Sequence, residues 1–260
     1  MKSKRSPVQS SRMDALKLEE VQFITDYLPG KGDLEKSFLF NCLMFGGYRI
    51  NELLHQQKDW LHINDEYSKS MGLDYIQVPQ KGEFCQCRDC KIQAYLESES
   101  NKDGVVYTAA WQKEVLKSFD VDNVNGRYWQ PKTADGARKI PILYDSFRNE
   151  LINFYITNKR LDYSRQWAWK QIKEISMDIW GFDELPSKNE KGVYRIPKRD
   201  LYPHAMRATA ASLWAMRGIN ATALKEIMGW SSIEIADIYV MSDEKQALLT
   251  CKNLVNGGKQ

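Results

Sequence analysis

Two short segments each place an arginine and a second functional group one helical turn apart. Arg49 and Glu52 lie three residues apart at the start of a predicted helix, directly after a pair of glycines. His204 and Arg207 have the same spacing at the start of another predicted helix. Residues at this spacing share a helix face, and the N-terminus of a helix attracts anions. The Arg49–Glu52 pair alone is more typical of a salt bridge, but together the segments predict a site for an anionic group such as phosphate.

Three further residues carry chemistry that suits the same site. Trp230 follows a glycine that ends a predicted helix, Tyr239 lies in the next helix, and Lys132 lies in a predicted turn. Considered separately, Trp230 is typical of a helix corner, Tyr239 of a core position and Lys132 of a solvated loop. Considered with the arginines, they form a set suited to attack on a phosphodiester. Two guanidiniums can neutralise the developing charge without a metal ion, and a phenol can act as a covalent nucleophile.

The elements that must position these residues are mostly helices. Apolar residues at three- and four-residue spacing predict a helix after Asp14 and others at 34–46, from Arg49, and at 108–119, 146–159, 164–180, 203–217, 220–228 and 232–240. Strands are predicted at 75–78 and in a hairpin of 127–133 with 138–143, turning at 134–137. A polar loop is predicted over 183–202. The predicted fold class is therefore α+β, mainly α, with a small antiparallel sheet.

Composition and charge narrow the class of protein. The 260 residues allow one large domain or two small ones. Thirty-seven basic and 34 acidic residues give a net charge of +3, which excludes a histone-like tail protein. No apolar stretch approaches the roughly 20 residues of a membrane span, and no secretory signal begins the chain. Five cysteines are too few for a disulfide scaffold and fit a reducing, cytoplasmic location.

At roughly residues 15–245 the sequence resembles the catalytic domain of the tyrosine recombinase (phage-integrase-type) family, whose fold is that of DNA breaking-rejoining enzymes. Gly-Gly-Tyr-Arg-Ile-Asn-Glu-Leu resembles the family's G-x-R-x-x-E-L box, and Lys-Thr…Arg-Lys-Ile-Pro resembles its β-hairpin motif. His-Ala-Met-Arg resembles H-x-x-R, and Met-Gly-Trp…Tyr resembles the terminal L-G-[HW]-x(8)-Y motif. The residues that match the family's catalytic positions are Arg49, Lys132, His204, Arg207, Trp230 and Tyr239, with Glu52 in support.

This resemblance implies a site-specific DNA recombinase that works without metal or other cofactor. Tyr239 would form a 3′-phosphotyrosyl bond, and Lys132 would be the general acid for the leaving 5′-hydroxyl. The implied partners are double-stranded DNA attachment sites of a mobile or viral element, which the enzyme would integrate or excise. The implied assembly is a homotetramer on DNA and a monomer or dimer when free, acting at the nucleoid of the host cell. The segment around His204 most resembles archaeal and viral integrases.

The resemblance also divides the chain. Residues 1–14 are expected to form a basic flexible tail, residues 15–240 the catalytic domain with an insertion at 80–125, and residues 241–260 a tail that packs on a neighbouring protomer or folds back as a lid. Because few residues precede the first helix, we expect a catalytic fragment or minimal enzyme with weak DNA affinity. A basic loop is expected to follow the DNA backbone through Lys188, Lys191, Arg195, Lys198 and Arg199.

The insertion contains a cysteine motif of its own. Cys85, Cys87 and Cys90 form C-x-C-x-x-C, which offers three thiolates, whereas a structural zinc ion normally has four ligands. No histidine follows closely, and neither Cys42 nor Cys251 is an obvious fourth ligand. One interpretation is therefore that the insertion binds a structural zinc ion, and the other is that it binds no metal.

Two other functions fit parts of the pattern. A type IB topoisomerase shares the fold and the Arg, Lys, Arg, Tyr set, but the His-x-x-Arg motif and Trp230 favour a recombinase. A catalytically inactive DNA-binding accessory protein is the second alternative, and it is weakened because each expected catalytic position is filled.

Overall fold

The computed structural model describes residues 14–103, 108–186 and 193–240. The chain divides into a larger unit, Met1–Val78 with Asp135–Gln260, and a smaller unit, Pro79–Ala134. The described helices are α1 (Leu18–Tyr27), α2 (Leu34–Phe45), α3 (Ile50–His55), α4 (Glu66–Met71), α5 (Arg88–Asp103), α6 (Ala109–Val115), α7 (Asp145–Thr157), α8 (Arg165–Trp180), α9 (Pro203–Met216), α10 (Ala221–Met228) and α11 (Ile233–Val240). The strands are β1 (Leu61–His62), β2 (Tyr75–Val78), β3 (Phe84–Cys85), β4 (Arg127–Tyr128), β5 (Arg138–Pro141), β6 (Phe182–Pro186) and β7 (Val193–Pro197).

Helix α2 forms the centre of the larger unit. The Asp33 carboxylate caps its start by accepting from the Lys36 amide at 3.0 Å, and the eight residues Phe38–Phe45 are all buried. The helix packs against α7 and α9. Phe38 stacks on Phe154 of α7 with ring centroids 3.7 Å apart. A helix apolar on all sides must be central, and this one supports the segment from Gly46 that leads into α3.

The predicted helices and fold class are confirmed over most of the larger unit. The segments predicted at 34–46, 146–159, 164–180, 203–217, 220–228 and 232–240 are helical to within two residues at each end, and the strand at 75–78 is present. The short helix α4 was missed, because its exposed, polar residues carry little apolar periodicity.

The predicted β-hairpin is wrong. Strand β5 pairs antiparallel with β2, which also pairs with β1, so that Ile76 faces both Leu61 and Ile140 across one three-stranded sheet. Strand β4 pairs instead with β3 in a separate two-stranded sheet. The connection between β4 and β5 contains Pro131, which has no amide hydrogen to donate, and a 3₁₀ turn at Ala134–Gly136. Each strand therefore pairs with one from elsewhere in the chain.

The predicted loop over 183–202 is also wrong in part. β6 and β7 form a two-stranded antiparallel sheet in which Phe182 pairs with Pro197 and Pro186 with Val193. Val193, Tyr194 and Arg195 are all exposed, so this ribbon lacks the alternation of buried and exposed residues that reveals a strand in sequence. Backbone pairing between the two strands defines this ribbon.

The smaller unit contains more regular structure than the insertion was predicted to have. The 16-residue helix α5 was missed, and α6 with a following 3₁₀ turn at Leu116–Ser118 replaces the helix predicted at 108–119. Helix α5 is rich in charged and polar residues, so its sequence gives almost no apolar stripe.

Among all the described helices, none is long and apolar enough to cross a membrane.

Candidate functional site

Glu52 is the centre of a buried charge cluster in the larger unit. It is the third residue of α3, and its carboxylate is 2 % exposed. The backbone amide of Arg49, the residue before the helix, donates to Glu52 Oε2 at 2.8 Å and closes a capping box. The same carboxylate accepts from arginine side chains of two different elements, which fixes the start of α3 against the rest of the unit.

Arg49 forms the first ion pair of this cluster. Its Nη1 donates to Glu52 Oε1 at 2.7 Å, and its Nη2 donates to the carbonyl oxygen of Gly229 at 2.7 Å. The side chain is 22 % exposed, the highest value among the three arginines of the cluster. Arg49 therefore connects α3 to the corner between α10 and α11 and still presents part of its guanidinium at the surface.

Arg138 is the partner that the sequence analysis did not select. Its Nη1 and Nη2 donate to the two Glu52 oxygens at 2.9 and 2.8 Å, a bidentate pair in which both side chains are buried. Its remaining donors reach the carbonyl oxygens of Ile227 and Gly136 at 2.7 and 2.8 Å. The Arg-Lys-Ile-Pro alternation carried a signal for this position, because it places Arg138 on the same strand face as the buried Ile140.

Arg207 is the third cation of the cluster, and its side chain is buried. It lies in the second turn of α9, donates to the carbonyl oxygens of Gly47 and Met228, and lies 3.9 Å from Glu52 Oε2. Burial lowers the pKa of Arg207, the guanidinium of Arg138 lowers it further, and the Glu52 carboxylate acts in the opposite direction. Most residues of this helix are buried, Arg207 among them.

The cluster has an excess of positive charge. Burial alone would raise the pKa of Glu52, but the guanidiniums of Arg138, Arg207 and Arg49 outweigh it and lower that pKa to about 2. Glu52 is therefore ionised at neutral pH, and three guanidiniums surround one carboxylate. A local charge of +2 that one acid does not neutralise is suited to binding an anion.

Two glycines let backbone carbonyls reach these arginines. Gly47 has φ +58°, and a Cβ there would lie 3.0 Å from Met228 Sδ. Gly229 ends α10 with φ +60°, and a Cβ there would lie 2.5 Å from the Asp135 carbonyl oxygen and 2.9 Å from Arg138 Cδ. A side chain at Gly229 would push the turn before β5 away from α10, so the close contact of these elements depends on glycine.

Trp230 and Tyr239 form a stacked pair next to the cluster. Their ring centroids lie 5.3 Å apart at an interplanar angle of 17°. Trp230 directly follows Gly229, whose carbonyl binds Arg49, and Tyr239 lies close enough to Arg207 for its phenolate form to act on the pKa of that arginine. Tyr239 is 8 % exposed, so most of this side chain is covered in this conformation.

The other predicted residues have varied positions. His204 lies in the first turn of α9 and is exposed. Lys132 is exposed and belongs to the smaller unit, in the connection between β4 and β5 and not on a hairpin. Lys139, the second lysine of the Lys-Thr…Arg-Lys-Ile-Pro motif, holds its Nζ 3.9 Å from the ring centroid of Tyr67 and 4.8 Å from that of Tyr75. It points away from the strand face that carries Arg138.

The expected DNA-binding loop is only partly described. Lys188 and Lys191 lie outside the described residues. Arg195 and Lys198 are exposed, with the Arg195 guanidinium 3.2 Å from the ring centroid of Phe182. Arg199 instead pairs with Glu20 at 3.2 Å, which ties the end of the ribbon to α1. Of the described members, Arg195 and Lys198 are thus the ones presented at the surface.

Comparisons with known proteins give matches in structure alone. No family model matches the sequence, and no curated protein matches it. Among solved structures, the chain is similar to the Tn1549 transposon integrase in complex with transposon right end DNA, with a TM-score of 0.53 and 17% identity over 93% of this chain and 66% of that one. It is also similar to the same integrase in complex with circular intermediate DNA, with a TM-score of 0.52 and 17% identity over 98% of this chain and 69% of that one.

The chain thus spans about two thirds of the length of the integrase chains that it matches. At this level of identity the similarity concerns the fold. The mainly helical architecture with small antiparallel sheets matches that of these structures. The chain has the fold of a tyrosine recombinase catalytic domain.

Proposed function

We propose that this chain is a site-specific DNA recombinase that cleaves and rejoins DNA through a covalent tyrosine intermediate. The observation that carries the proposal is the cluster of Arg49, Arg138 and Arg207 around Glu52, connected through the Gly229 carbonyl to the Trp230–Tyr239 pair. A phosphodiester is the anion that such a set of donors fits, because planar guanidiniums bind two phosphate oxygens at once. A nearby phenol supplies the nucleophile.

The proposed reaction conserves the number of phosphodiester bonds. The Tyr239 oxygen attacks the phosphorus and loses its proton, the bond from phosphorus to the 5′ oxygen breaks, and Lys132 gives that oxygen a proton. The guanidiniums stabilise the extra negative charge of the transition state. The 5′-hydroxyl of the same or another strand then attacks the phosphotyrosine, which restores the phenol. Lys139 is less suited to the acid role, since its ammonium rests on two aromatic rings.

Cleavage requires a local opening of this site. Arg207 is 5 % exposed and Tyr239 is 8 % exposed, so a phosphate of duplex DNA cannot reach both in this conformation. Trp230 and Tyr239 lie in one short segment, which consists of the corner after α10 and the helix α11. We expect DNA binding to shift this segment and expose the phenol, while Glu52 keeps the arginines in position.

The proposed partner is double-stranded DNA at attachment sites of a mobile or viral element. The similar structures are complexes of a transposon integrase with transposon DNA, which supports this class of substrate. Arg195 and Lys198, together with Lys188 and Lys191, would contact the DNA backbone, and a homotetramer would hold two sites. Such an enzyme would act in the cytoplasm, on the nucleoid.

Covalent capture tests the proposal without knowledge of the target sequence. The probe is a pool of labelled, nicked duplexes with a randomised segment, which lose a short fragment after cleavage and so trap the enzyme. Wild-type protein is expected to enrich one sequence in a detergent-resistant complex, and Tyr239→Phe is expected to form none. Tyr67→Phe, which alters an exposed tyrosine outside the cluster, is the matched control.

The alternatives predict different outcomes of the same assay. A complex that persists in Tyr239→Phe contradicts the nucleophile assignment. A type IB topoisomerase would trap duplexes without marked sequence preference and relax a supercoiled plasmid of arbitrary sequence. An inactive accessory protein would bind the pool and form no covalent complex with any duplex.

A further inference from the structure

The smaller unit holds a cluster of three cysteines. Cys85 ends β3, Cys87 directly precedes α5, and Cys90 lies in the first turn of that helix. Their Sγ atoms lie within 4.8 Å of one another. Cys85 and Cys90 are buried, and Cys87 is partly exposed. Among the described residues none of the three forms a disulfide, so a disulfide does not explain why they converge.

Backbone donors point at these sulfur atoms. The Cys87 amide donates to Cys85 Sγ at 3.4 Å, and the Cys90 amide donates to Cys87 Sγ at 3.4 Å. The neighbouring Cys85 and Cys87 thiols raise the pKa of the Cys90 thiol above its ordinary value. Amide donors and a helix N-terminus act in the opposite direction and favour the thiolate form. Three thiolates so close together repel one another, and a bound dication removes that repulsion.

The smaller unit also has few other means of holding its fold. Among the described residues of 79–134, the buried side chains are Cys85, Cys90, Leu96 and Trp129. Two of these four are members of the cluster. Units with so small an apolar core usually need a cross-link or a structural metal. Converging thiols in a small core are what a metal cross-link requires.

We propose that Cys85, Cys87 and Cys90 bind one Zn²⁺ ion as thiolates. Cysteine thiolates are the ligands typical of structural zinc sites. Binding releases the three thiol protons to solvent. The ion stabilises the fold of the insertion and takes no part in DNA cleavage.

Metal analysis of the full chain tests the site directly. The protein is purified without chelator or metal-affinity resin, and its zinc is measured by mass spectrometry. One zinc ion per chain is expected in the wild type. Cys85→Ser, Cys87→Ser and Cys90→Ser should each lose it, and Cys42→Ala, a change to a buried cysteine of α2, should retain it. Zinc that remains in all three serine variants overturns the site.

A second measurement does not depend on the folding of any variant. Wild-type protein is stripped with a chelator and titrated with Co²⁺, which should give thiolate charge-transfer absorption that saturates at one ion per chain and disappears on addition of Zn²⁺. No such absorption overturns the proposal. Alkylation and mass measurement of the purified protein should show protected but reduced thiols, whereas a Cys87–Cys90 disulfide would contradict it.

The identity of the ligand atoms has its own test. X-ray absorption at the zinc edge should fit three sulfur atoms bound to the ion. A fit with only nitrogen and oxygen atoms around the ion would contradict the site. None of these readouts involves DNA, so they are independent of the proposed recombinase activity.

Discussion

Glu52 is the residue on which the arrangement of the candidate active site depends. It accepts from both Arg49 and Arg138, and it lies near Arg207. The free-energy cost of burying the Glu52 carboxylate is outweighed by its attraction to three guanidiniums. Without this carboxylate the guanidiniums could not be placed so close together, because they repel one another. In the proposed reaction, such a carboxylate would contribute to cleavage through the geometry of the arginines, without contact with the DNA.

Removing this charge should destabilise the protein. Glu52→Gln keeps the shape of the side chain but leaves Arg138 and Arg207 buried without their counter-ion. We expect the free energy of unfolding to fall by about 3–5 kcal/mol, the usual cost of breaking a buried ion pair. Urea denaturation measures this. Glu226→Gln alters a surface carboxylate that is 70 % exposed and should change stability by less than about 0.5 kcal/mol.

The same carboxylate predicts a pH dependence. The pKa of Glu52, about 2 in the folded protein, lies below its ordinary value of about 4.3. Its stabilising contribution is therefore complete above about pH 4.3 and is lost as the pH falls through about 2. The difference in unfolding free energy between wild type and Glu52→Gln should be constant from pH 7 to pH 5 and shrink below pH 4. A difference that stays unchanged at pH 3 and below would contradict the low pKa.

The arginines and Trp230 should differ in their effect on cleavage. Arg49→Lys and Arg207→Lys keep a positive charge but lose the planar fork that fits a phosphate. We expect each to lower the single-turnover cleavage rate by a factor on the order of 10² or more. Trp230→Phe loses one neutral donor and should cost about tenfold or less. A Trp230 effect larger than both arginine effects would contradict this order, and circular dichroism checks that each variant is folded.

At the scale of elements, the corner between α10 and α11 determines how closely the strand that carries Arg138 can approach. Gly229 ends α10 in the left-handed conformation and packs against the turn before β5. Gly72 ends α4 in the same way, with φ +63°, but a Cβ added there would have no atom of another residue within 4 Å. The two glycines share a backbone requirement and differ only in their surroundings.

This pair allows the steric contribution to be measured. Gly72→Ala should cost about 1–2 kcal/mol, from the left-handed conformation alone. Gly229→Ala should cost at least about 1 kcal/mol more, because the new methyl group overlaps the Asp135 carbonyl oxygen and Arg138. Urea denaturation of the two variants gives the difference. Equal costs would mean that β5 can move away freely, and cleavage activity should then survive in Gly229→Ala.

At the scale of the whole molecule, the proposed tetramer is the property to test. Residues 241–260 lie outside the described residues, and their expected role is to pack on a neighbouring protomer on DNA. If that is correct, deletion of 246–260 should impair the pairing of two DNA sites and spare cleavage at one site. Gel-shift analysis separates paired from single-site complexes, and covalent trapping reports cleavage. Equal loss of both activities would favour an intramolecular lid.

Much of the fold could be predicted because local pattern and tertiary environment agree there. The long helices α2, α7, α8 and α9 carry apolar residues at helical spacing and bury that face. Strand pairing was not predictable in the same way, because β4 and β5 each pair with a strand far away in sequence. The exposed ribbon of β6 and β7 and the polar helix α5 lack apolar periodicity, so nothing in their composition revealed them.

The sequence by itself determined which groups could do chemistry and in what order they occur: two arginines with an acid and a histidine one turn away, then a tryptophan and a tyrosine. Spacing within a helix fixes which residues share a face, so local segments such as Arg49–Glu52 were readable. Only the tertiary structure decided that Glu52 is shared by three arginines, that Arg138 is one of them, and that Tyr239 is covered by its neighbours. The first two of these facts depend on contacts between residues more than 80 positions apart, which the packing of α3, β5 and α9 brings together and no local pattern encodes.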